Sequence, residues 1–182
     1  MAHSESVQLI GIALPTLREL RAATLASLSS HGSGEADAVD SLREAGYAGG
    51  DAVFGAFERW LAENPSAGGA YRLLAPELSL DDFTRLASRF FRDAGWGDVE
   101  FSPDEDEGVA QLVVRRCWEC DGAEPSDRPS CHITTGMFAA FFGRVADYPV
   151  SVMETECCSA GAAQCRFLLG NAEVMTWKWE TL

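Results

Sequence analysis

The first part of the chain has the hydrophobic spacing of helices. Leucines recur at helical intervals around Pro15, a residue favoured in the first turn of a helix, and the segment Ser29–Gly34 predicts where this helix ends. Val39 and Leu42 indicate a second helix, which we expect to stop at Gly46.

Two further helices are predicted before residue 95, each with a capping residue. Asp51 would cap a third helix that ends at Asn64 and Pro65, and Ser79 with Asp82 resembles a capping box ahead of a fourth. Their apolar stripes are Val53, Phe54, Phe57, Trp60 and Leu61 in one helix, and Leu80, Phe83, Leu86, Ala87, Phe90 and Phe91 in the other.

Beyond Gly97 the pattern changes to that of strands. Val99–Ser102 and Val109–Cys117 predict a hairpin around the acidic turn Pro103–Gly108. A last helix is predicted to begin at Cys131. Its apolar positions are Ile133, Met137, Phe138, Phe141, Phe142 and Val145.

The end of the chain is predicted to be extended. Val150–Cys157 and Cys165–Gly170 are strand-like and are joined by a turn of small residues. Met175, Trp177 and Trp179 then alternate with polar residues, which predicts a half-buried strand.

Together these elements predict an α+β fold, with helices first and an antiparallel sheet later. The length of 182 residues is that of a single domain. We expect residues 1–95 to be mainly helical, and residues 96–182 to hold a hairpin, the helix that Cys131 begins, and a C-terminal hairpin.

The net charge limits the partners of the protein. Lys and Arg number 14 and Asp and Glu number 28, so the formal net charge is −14. Nucleic acids and anionic membrane surfaces attract cationic proteins, so neither is an expected partner. No apolar run reaches the ~20 residues of a membrane span, and Val7–Pro15 lacks the flanking features of a signal peptide. We therefore expect a cytoplasmic protein.

All six cysteines lie in the C-terminal third of the chain. In a reducing compartment, clustered cysteines are more often metal ligands or redox groups than disulfides. The most specific pattern offers three thiolates and one carboxylate, a soft set that suits zinc better than magnesium or calcium. These four residues are Cys131, Glu154, Cys157 and Cys165.

The spacing of this set imposes a geometric condition. Glu154 and Cys157 are three residues apart, and such residues point to opposite faces of a regular strand. Both reach one metal only if the strand bends or bulges near Thr155–Glu156. Cys131 would begin a helix, where free N–H groups lower the pKa of a thiol.

The segment Glu154–Phe167 resembles the C-terminal signature of the 4-vinyl-reductase domain family, with the pattern E-x-x-C-x-x-x-G-x-x-x-C-x-F. Cys131–Gly143 resembles the helix of that family that starts at a cysteine. The spacing of the four candidate ligands is also similar to that in the aromatic-sensing domains of phenol- and xylene-responsive activators. The resemblance covers about residues 131–170.

The resemblance implies an α+β fold shared with trafficking-complex (TRAPP) subunits, which are usually dimeric through their helical face. It further implies an apolar pocket for a small hydrophobic ligand, and a zinc ion on Cys131, Glu154, Cys157 and Cys165. Four protein ligands leave no position for water, so this zinc would be structural.

Cys117 and Cys120 form a second motif, CWEC, with three open interpretations. It could be a redox pair, a zinc half-site completed by a dimer mate or by His132, or two ordinary cysteines. A redox pair usually opens a helix, whereas this motif ends a strand and enters an acidic loop, so ordinary cysteines are favoured. Cys158 is expected to point away from the metal.

Five residues are candidates to line the ligand pocket, because such sites are mostly apolar with few polar groups. They are Trp118, His132, Met137, Phe138 and Phe141. The helical spacing of the last three is equally typical of core positions, and both interpretations remain open.

The sequence therefore predicts a zinc-stabilised sensor or carrier of a hydrophobic aromatic, acyl or tetrapyrrole ligand. We expect a homodimer that acts through a signalling or enzyme partner. One alternative is an enzyme or accessory in (bacterio)chlorophyll 4-vinyl reduction, and another is a structural assembly subunit without ligand. The sequence carries no nucleophile triad and no nicotinamide or flavin fingerprint such as G-x-G-x-x-G, which argues against a self-contained enzyme.

Overall fold

In the computed structural model of the chain, the described residues are 13–30, 35–64, 79–104 and 108–181. Within them the chain forms five α-helices and one four-stranded antiparallel sheet, which confirms the predicted α+β class. The helices are α1 (Leu14–Ser30), α2 (Glu35–Glu63), α3 (Leu80–Asp93), α4 (His132–Ala146) and α5 (Ala172–Thr181). The strands are β1 (Asp98–Asp104), β2 (Val109–Arg115), β3 (Ser151–Glu156) and β4 (Cys165–Gly170).

The sheet has the strand order β1-β2-β4-β3, and every neighbouring pair is antiparallel. The two predicted hairpins, β1-β2 and β3-β4, are therefore confirmed, and they join through the β2-β4 pair. Most of the acidic turn between β1 and β2, and most of the predicted break at Ser29–Gly34, lie outside the described residues.

The helix α2 is continuous where the sequence predicted two helices. The predicted stop at Gly46 and the predicted cap at Asp51 are both wrong, because both residues lie inside α2. A Cβ atom on Gly46 would lie 2.1 Å from the carbonyl oxygen of Ile133, and one on Gly50 would lie 2.3 Å from the Cβ of Ala140. These glycines allow α2 and α4 to pack closely, which is a different use of glycine from ending a helix.

The helix α4 lies at the centre of the core. On one side Phe138 contacts Phe167 of β4, with ring centroids 5.3 Å apart. On the other side Phe141 contacts Phe54 and Phe57 of α2, at 5.7 and 5.5 Å. The same helix therefore packs against both the sheet and α2.

The predicted capping box at the start of α3 is confirmed. The Ser79 hydroxyl accepts a hydrogen bond from the Asp82 N–H at 3.1 Å. The helix buries five residues of the predicted apolar stripe: Phe83, Leu86, Ala87, Phe90 and Phe91.

The predicted C-terminal strand is wrong, because its residues form α5. The Asn171 side chain accepts the N–H of Val174 at 2.9 Å and so caps this helix. Met175 is buried, whereas Trp177 and Trp179 are 58% and 69% exposed. Cys131 therefore begins the fourth helix rather than the last. Across the described ranges, no helix combines the length and apolar character needed to cross a bilayer.

Candidate metal centre

The structure brings the four predicted ligands together from three elements. Cys131 is the N-cap of α4, Glu154 lies on β3, Cys157 follows β3, and Cys165 begins β4. Their ligand atoms all lie within 4.8 Å of one another. The three cysteines are buried and Glu154 is half-buried.

The condition set by the sequence spacing is met by a bulge in β3. Glu154 pairs with Phe167, but Glu156 pairs with Arg166, so Thr155 is an extra residue without a partner of its own. The predicted bulge near Thr155–Glu156 is confirmed. It removes the strict alternation of the strand, and this brings the Glu154 and Cys157 side chains to the same cluster.

Glu154 has one satisfied and one unsatisfied carboxylate oxygen. Its Oε2 accepts the N–H of Cys131 at 2.8 Å, whereas Oε1 is buried without a hydrogen-bond partner in the described part of the chain. Burial, aided by the nearby Cys157, raises the pKa of Glu154 to about 9. A buried oxygen without a partner is costly, and a cation bound at Oε1 would supply the missing partner.

The sulfur spacing fits a tetrahedral thiolate site. The Sγ of Cys131 lies 3.7 Å from that of Cys157 and 3.8 Å from that of Cys165, and the latter two are 4.0 Å apart. A tetrahedron with Zn–S bonds of about 2.3 Å has edges of about 3.8 Å. The donor atoms present therefore fit a soft cation such as zinc in size and in chemistry.

The CWEC cysteines belong to the same sulfur cluster. Cys117 and Cys120 are 0% and 3% exposed. The Cys117 Sγ lies 3.6 Å from that of Cys131, and the Cys120 Sγ lies 3.1 Å from that of Cys165. These four cysteines form a second group whose sulfurs all lie within 4.8 Å. The residues that could complete a half-site on the motif are thus Cys131 and Cys165 of the same chain.

Glu119, inside the CWEC motif, is a buried residue that the sequence analysis did not single out. Its carboxylate accepts the N–H groups of Ile133 at 3.0 Å and Thr134 at 2.8 Å, and it pairs with Arg21 of α1. Burial raises the pKa of Glu119, opposed mainly by the Thr134 N–H and by Arg21. These contacts hold the motif against the first turn of α4. The signal in the sequence was a charged residue between two cysteines of a type that is usually buried.

Cys158 does not point away from the cluster, as was expected. It is half-buried, and its Sγ lies 3.8 Å from that of Cys165. Burial raises the pKa of its thiol to about 11. The physical reason is the short 3-10 turn Cys158–Ala160, which folds back directly after β3 and keeps the side chain next to β4.

Three of the five pocket candidates lie in the aromatic core. Met137, Phe138 and Phe141 are 1%, 0% and 0% exposed. The Trp118 ring is buried, and its indole Nε1–H has no hydrogen-bond partner in the described part of the chain. Burial, with Arg43 and Arg21 nearby, lowers the pKa of His132 to about 4, so its imidazole is neutral at pH 7.

A cavity of about 380 Å³ lies beside the sulfur cluster. None of the five pocket candidates lines it. Its lining residues are Arg116, Cys117, Cys120, Asp121, Gly122, Ala123, Pro125, Cys158, Ser159 and Ala163.

Comparison with known proteins gives a family and a relative. Residues 111–171 match the model of the 4-vinyl-reductase domain, and this range contains all six cysteines and Glu154. The bacteriochlorophyll synthase 23 kDa chain of Cereibacter sphaeroides is 32% identical over 133 residues. That alignment covers 70% of this chain and 58% of the relative, so the chain spans less than two thirds of the relative's length.

Two solved structures have a similar fold. One is the phenol-responsive sensory domain of the transcription activator PoxR, with a TM-score of 0.65 and 15% identity, covering 91% of this chain and 77% of that domain. The other is a trafficking protein particle complex subunit 3 from Naegleria fowleri, with a TM-score of 0.62 and 14% identity, covering 86% of this chain and 93% of that subunit.

Proposed function

The chain carries a domain of the 4-vinyl-reductase family, and on this basis we propose that it is a zinc-stabilised domain that binds a hydrophobic small molecule as a sensor or carrier. The observation that carries the metal part is the unpartnered Oε1 of Glu154 beside three buried cysteine sulfurs.

The zinc ligands in this proposal are Cys131, Glu154, Cys157 and Cys165. Four protein ligands complete a tetrahedral shell, so the ion supplies stability and leaves no position for catalytic water. Its role is to tie the start of α4 to the β3-β4 hairpin. Since α4 also carries Met137, Phe138 and Phe141, loss of the ion would loosen the helix that we propose as a wall of the ligand site.

The ligand part of the proposal is supported by the two proteins of similar fold. The PoxR sensory domain was crystallised with phenol, and the trafficking subunit is covalently bound to palmitic acid. Both molecules are small and largely apolar. In this chain the unpartnered indole N–H of Trp118 is a donor available to such a molecule. His132, with its neutral imidazole, is the second polar candidate.

The metal is tested by native mass spectrometry of the chain purified without chelator. We expect bound zinc and, if cargo survives purification, additional organic mass. Metal-free protein that keeps its fold would overturn the zinc assignment.

The ligand is tested by thermal shift with phenol, palmitate and a porphyrin. Trp118→Phe keeps an aromatic ring but removes the N–H, so the shift given by a hydrogen-bonding ligand should shrink. Trp177→Phe, on the exposed face of α5, is the matched control and should not change it. The absence of a shift with all three probes would contradict the ligand proposal and leave the metal proposal intact.

A second candidate function is participation in (bacterio)chlorophyll 4-vinyl reduction, as an enzyme or accessory. The observation in its favour is the 32% identity to a bacteriochlorophyll synthase chain. It predicts that the hydride donor is supplied by a partner protein, and that deletion of the protein raises divinyl pigment levels. Unchanged pigment levels in the deletion strain would count against it.

A structural assembly subunit without ligand is the third candidate. It is favoured by the close packing of Met137, Phe138 and Phe141, none of them more than 1% exposed. A homodimer through the helical face is part of the first and third proposals, and sedimentation velocity tests it directly.

A further inference from the structure

The CWEC motif and the candidate zinc site share two sulfurs. We propose that the chain binds two metal ions as a thiolate-bridged pair, with Cys131 and Cys165 as the bridging residues. This inference rests on the proposed zinc site and adds a second one. The first ion takes Glu154 and Cys157 as its other ligands, and the second takes Cys117 and Cys120.

The two donor sets have the geometry of tetrahedra that share an edge. The shared edge, from the Cys131 Sγ to the Cys165 Sγ, is 3.8 Å long. This equals the edge of about 3.8 Å that Zn–S bonds of about 2.3 Å require. On the second tetrahedron, the Cys117–Cys131 edge is 3.6 Å and the Cys120–Cys165 edge is 3.1 Å.

The backbone of the CWEC motif forms the tight turn that a C-x-x-C half-site needs. The carbonyl oxygen of Cys117 accepts the N–H of Cys120 at 3.2 Å and the N–H of Asp121 at 2.9 Å. This turn brings the two sulfurs to one side. Spacing of this kind is typical of zinc half-sites, which need a second pair of ligands from elsewhere in the fold.

The second pair of ligands is held in place by Glu119. Its carboxylate accepts the N–H groups of Ile133 and Thr134, next to the bridging Cys131. The turn of the motif and the start of α4 are therefore fixed to each other through a buried carboxylate. Contacts of this type orient metal ligands without touching the ion.

The charge of the cluster favours a second cation. Five thiolates and one carboxylate carry a formal charge of −6, and one divalent ion leaves −4 in a buried space. A second divalent ion reduces this to −2. Because buried unpaired charge is costly, the second ion allows Cys117 and Cys120 to ionise, which one ion alone does not.

The cavity beside the cluster gives the second ion a route from solvent. Cys117 and Cys120 line this cavity, whereas Glu154 and Cys157 do not. Cys158 lines it too, with its Sγ 3.8 Å from that of Cys165. The second ion is therefore the accessible and exchangeable one of the pair, and the first is enclosed.

The experiment counts zinc by native mass spectrometry during titration of reduced, metal-depleted protein. We expect saturation at two zinc ions per chain in the wild type. The Cys117→Ser/Cys120→Ser double variant should saturate at one, and Cys158→Ser, the matched control on the same cavity, should still bind two. Titration of the wild type with a chromophoric chelator should remove one ion well before the other.

Loading with cadmium gives a readout independent of stability. Two ¹¹³Cd resonances that are coupled to each other would show that the ions share ligands. Wild type that saturates at one zinc, or a double variant that binds as many ions as the wild type, would overturn the bridged pair. A single ion kept in Cys157→Ser but lost in the double variant would instead place one ion on the four cysteines. Wild type that binds none would overturn the zinc proposal itself.

Discussion

Arg21 of α1 and Glu119 of the CWEC motif form a buried ion pair, with 3.0 Å between Nε and Oε1. The two side chains are 11% and 0% exposed. The Arg21 guanidinium also donates to the carbonyl oxygen of Ser130, the residue before Cys131. This arginine therefore binds α1 to both segments that supply the bridging region of the sulfur cluster.

Removal of Arg21 should be strongly destabilising. Arg21→Ala leaves the Glu119 carboxylate buried without its cation, and loss of one partner of a buried pair costs about 3–5 kcal/mol. Urea denaturation measures the change. Arg18→Ala is the control, because its side chain is 30% exposed and its ion-pair partner Asp121 is 64% exposed, so the loss should be smaller. Equal losses would mean that the burial of the pair has no special weight.

Substitution of Cys157 should remove the enclosed metal. Cys157→Ala deletes a thiolate that only the first of the two proposed sites uses, so zinc content should fall and the melting temperature with it. Chelation of the wild type should lower the melting temperature in the same direction and should have little further effect on the variant. Unchanged metal content in Cys157→Ala would contradict the assignment of this residue as a ligand.

The glycines of α2 should differ sharply in their tolerance of alanine. Gly46→Ala places a Cβ 2.1 Å from the Ile133 carbonyl oxygen, so α2 and α4 must separate, at a cost of about 1–3 kcal/mol or more. Gly49→Ala, one turn along the same helix, meets nothing within 4 Å and should stabilise α2 by up to about 1 kcal/mol. The two melting temperatures should move in opposite directions. A shift in the same direction would show that helix propensity outweighs the packing.

Asp98 should contribute stability that disappears in acid. The Arg116 guanidinium, and then that of Arg92, lower the pKa of this carboxyl. A carboxyl whose pKa is lowered on folding stabilises above its unfolded pKa, near 3.8, and loses that contribution as pH falls through its folded pKa.

The test compares the wild type with Asp98→Asn by urea denaturation between about pH 6 and pH 3, a range that spans the unfolded pKa of the carboxyl. The stability difference should be present at the upper end of this range and should shrink towards zero in acid. It should be small, since surface ion pairs contribute little. Asp93→Asn, which removes a longer 3.8 Å contact with Arg89, is the control. A difference that grows in acid would contradict the prediction.

The ligand pattern and the bulge could be predicted because both depend on residues close in the chain. Glu154 and Cys157 are three apart, and strand geometry alone requires an irregularity between them if both are to bind one ion. The predicted hairpins and the Ser79 cap succeeded for the same reason, since turns and caps are local features.

The features that the sequence analysis missed depend on distant partners. Gly46 was predicted to end a helix, because nothing nearby in the chain shows that it packs against Ile133 of α4. Glu119 and Arg21 are 98 residues apart, and neither residue alone indicates a buried pair. The C-terminal strand was wrong because alternation of apolar residues outweighed a single capping residue, Asn171.

The position of the donor residues along the chain has a consequence for synthesis. All six donors of the proposed pair fall between Cys117 and Cys165, and the last of them begins β4, the strand that joins the two hairpins of the sheet. A nascent chain has therefore made α1, α2 and α3 long before either tetrahedron can close. Metal loading and completion of the sheet become one late event, and a shortage of zinc during translation would leave the helices formed while reactive thiols are still exposed.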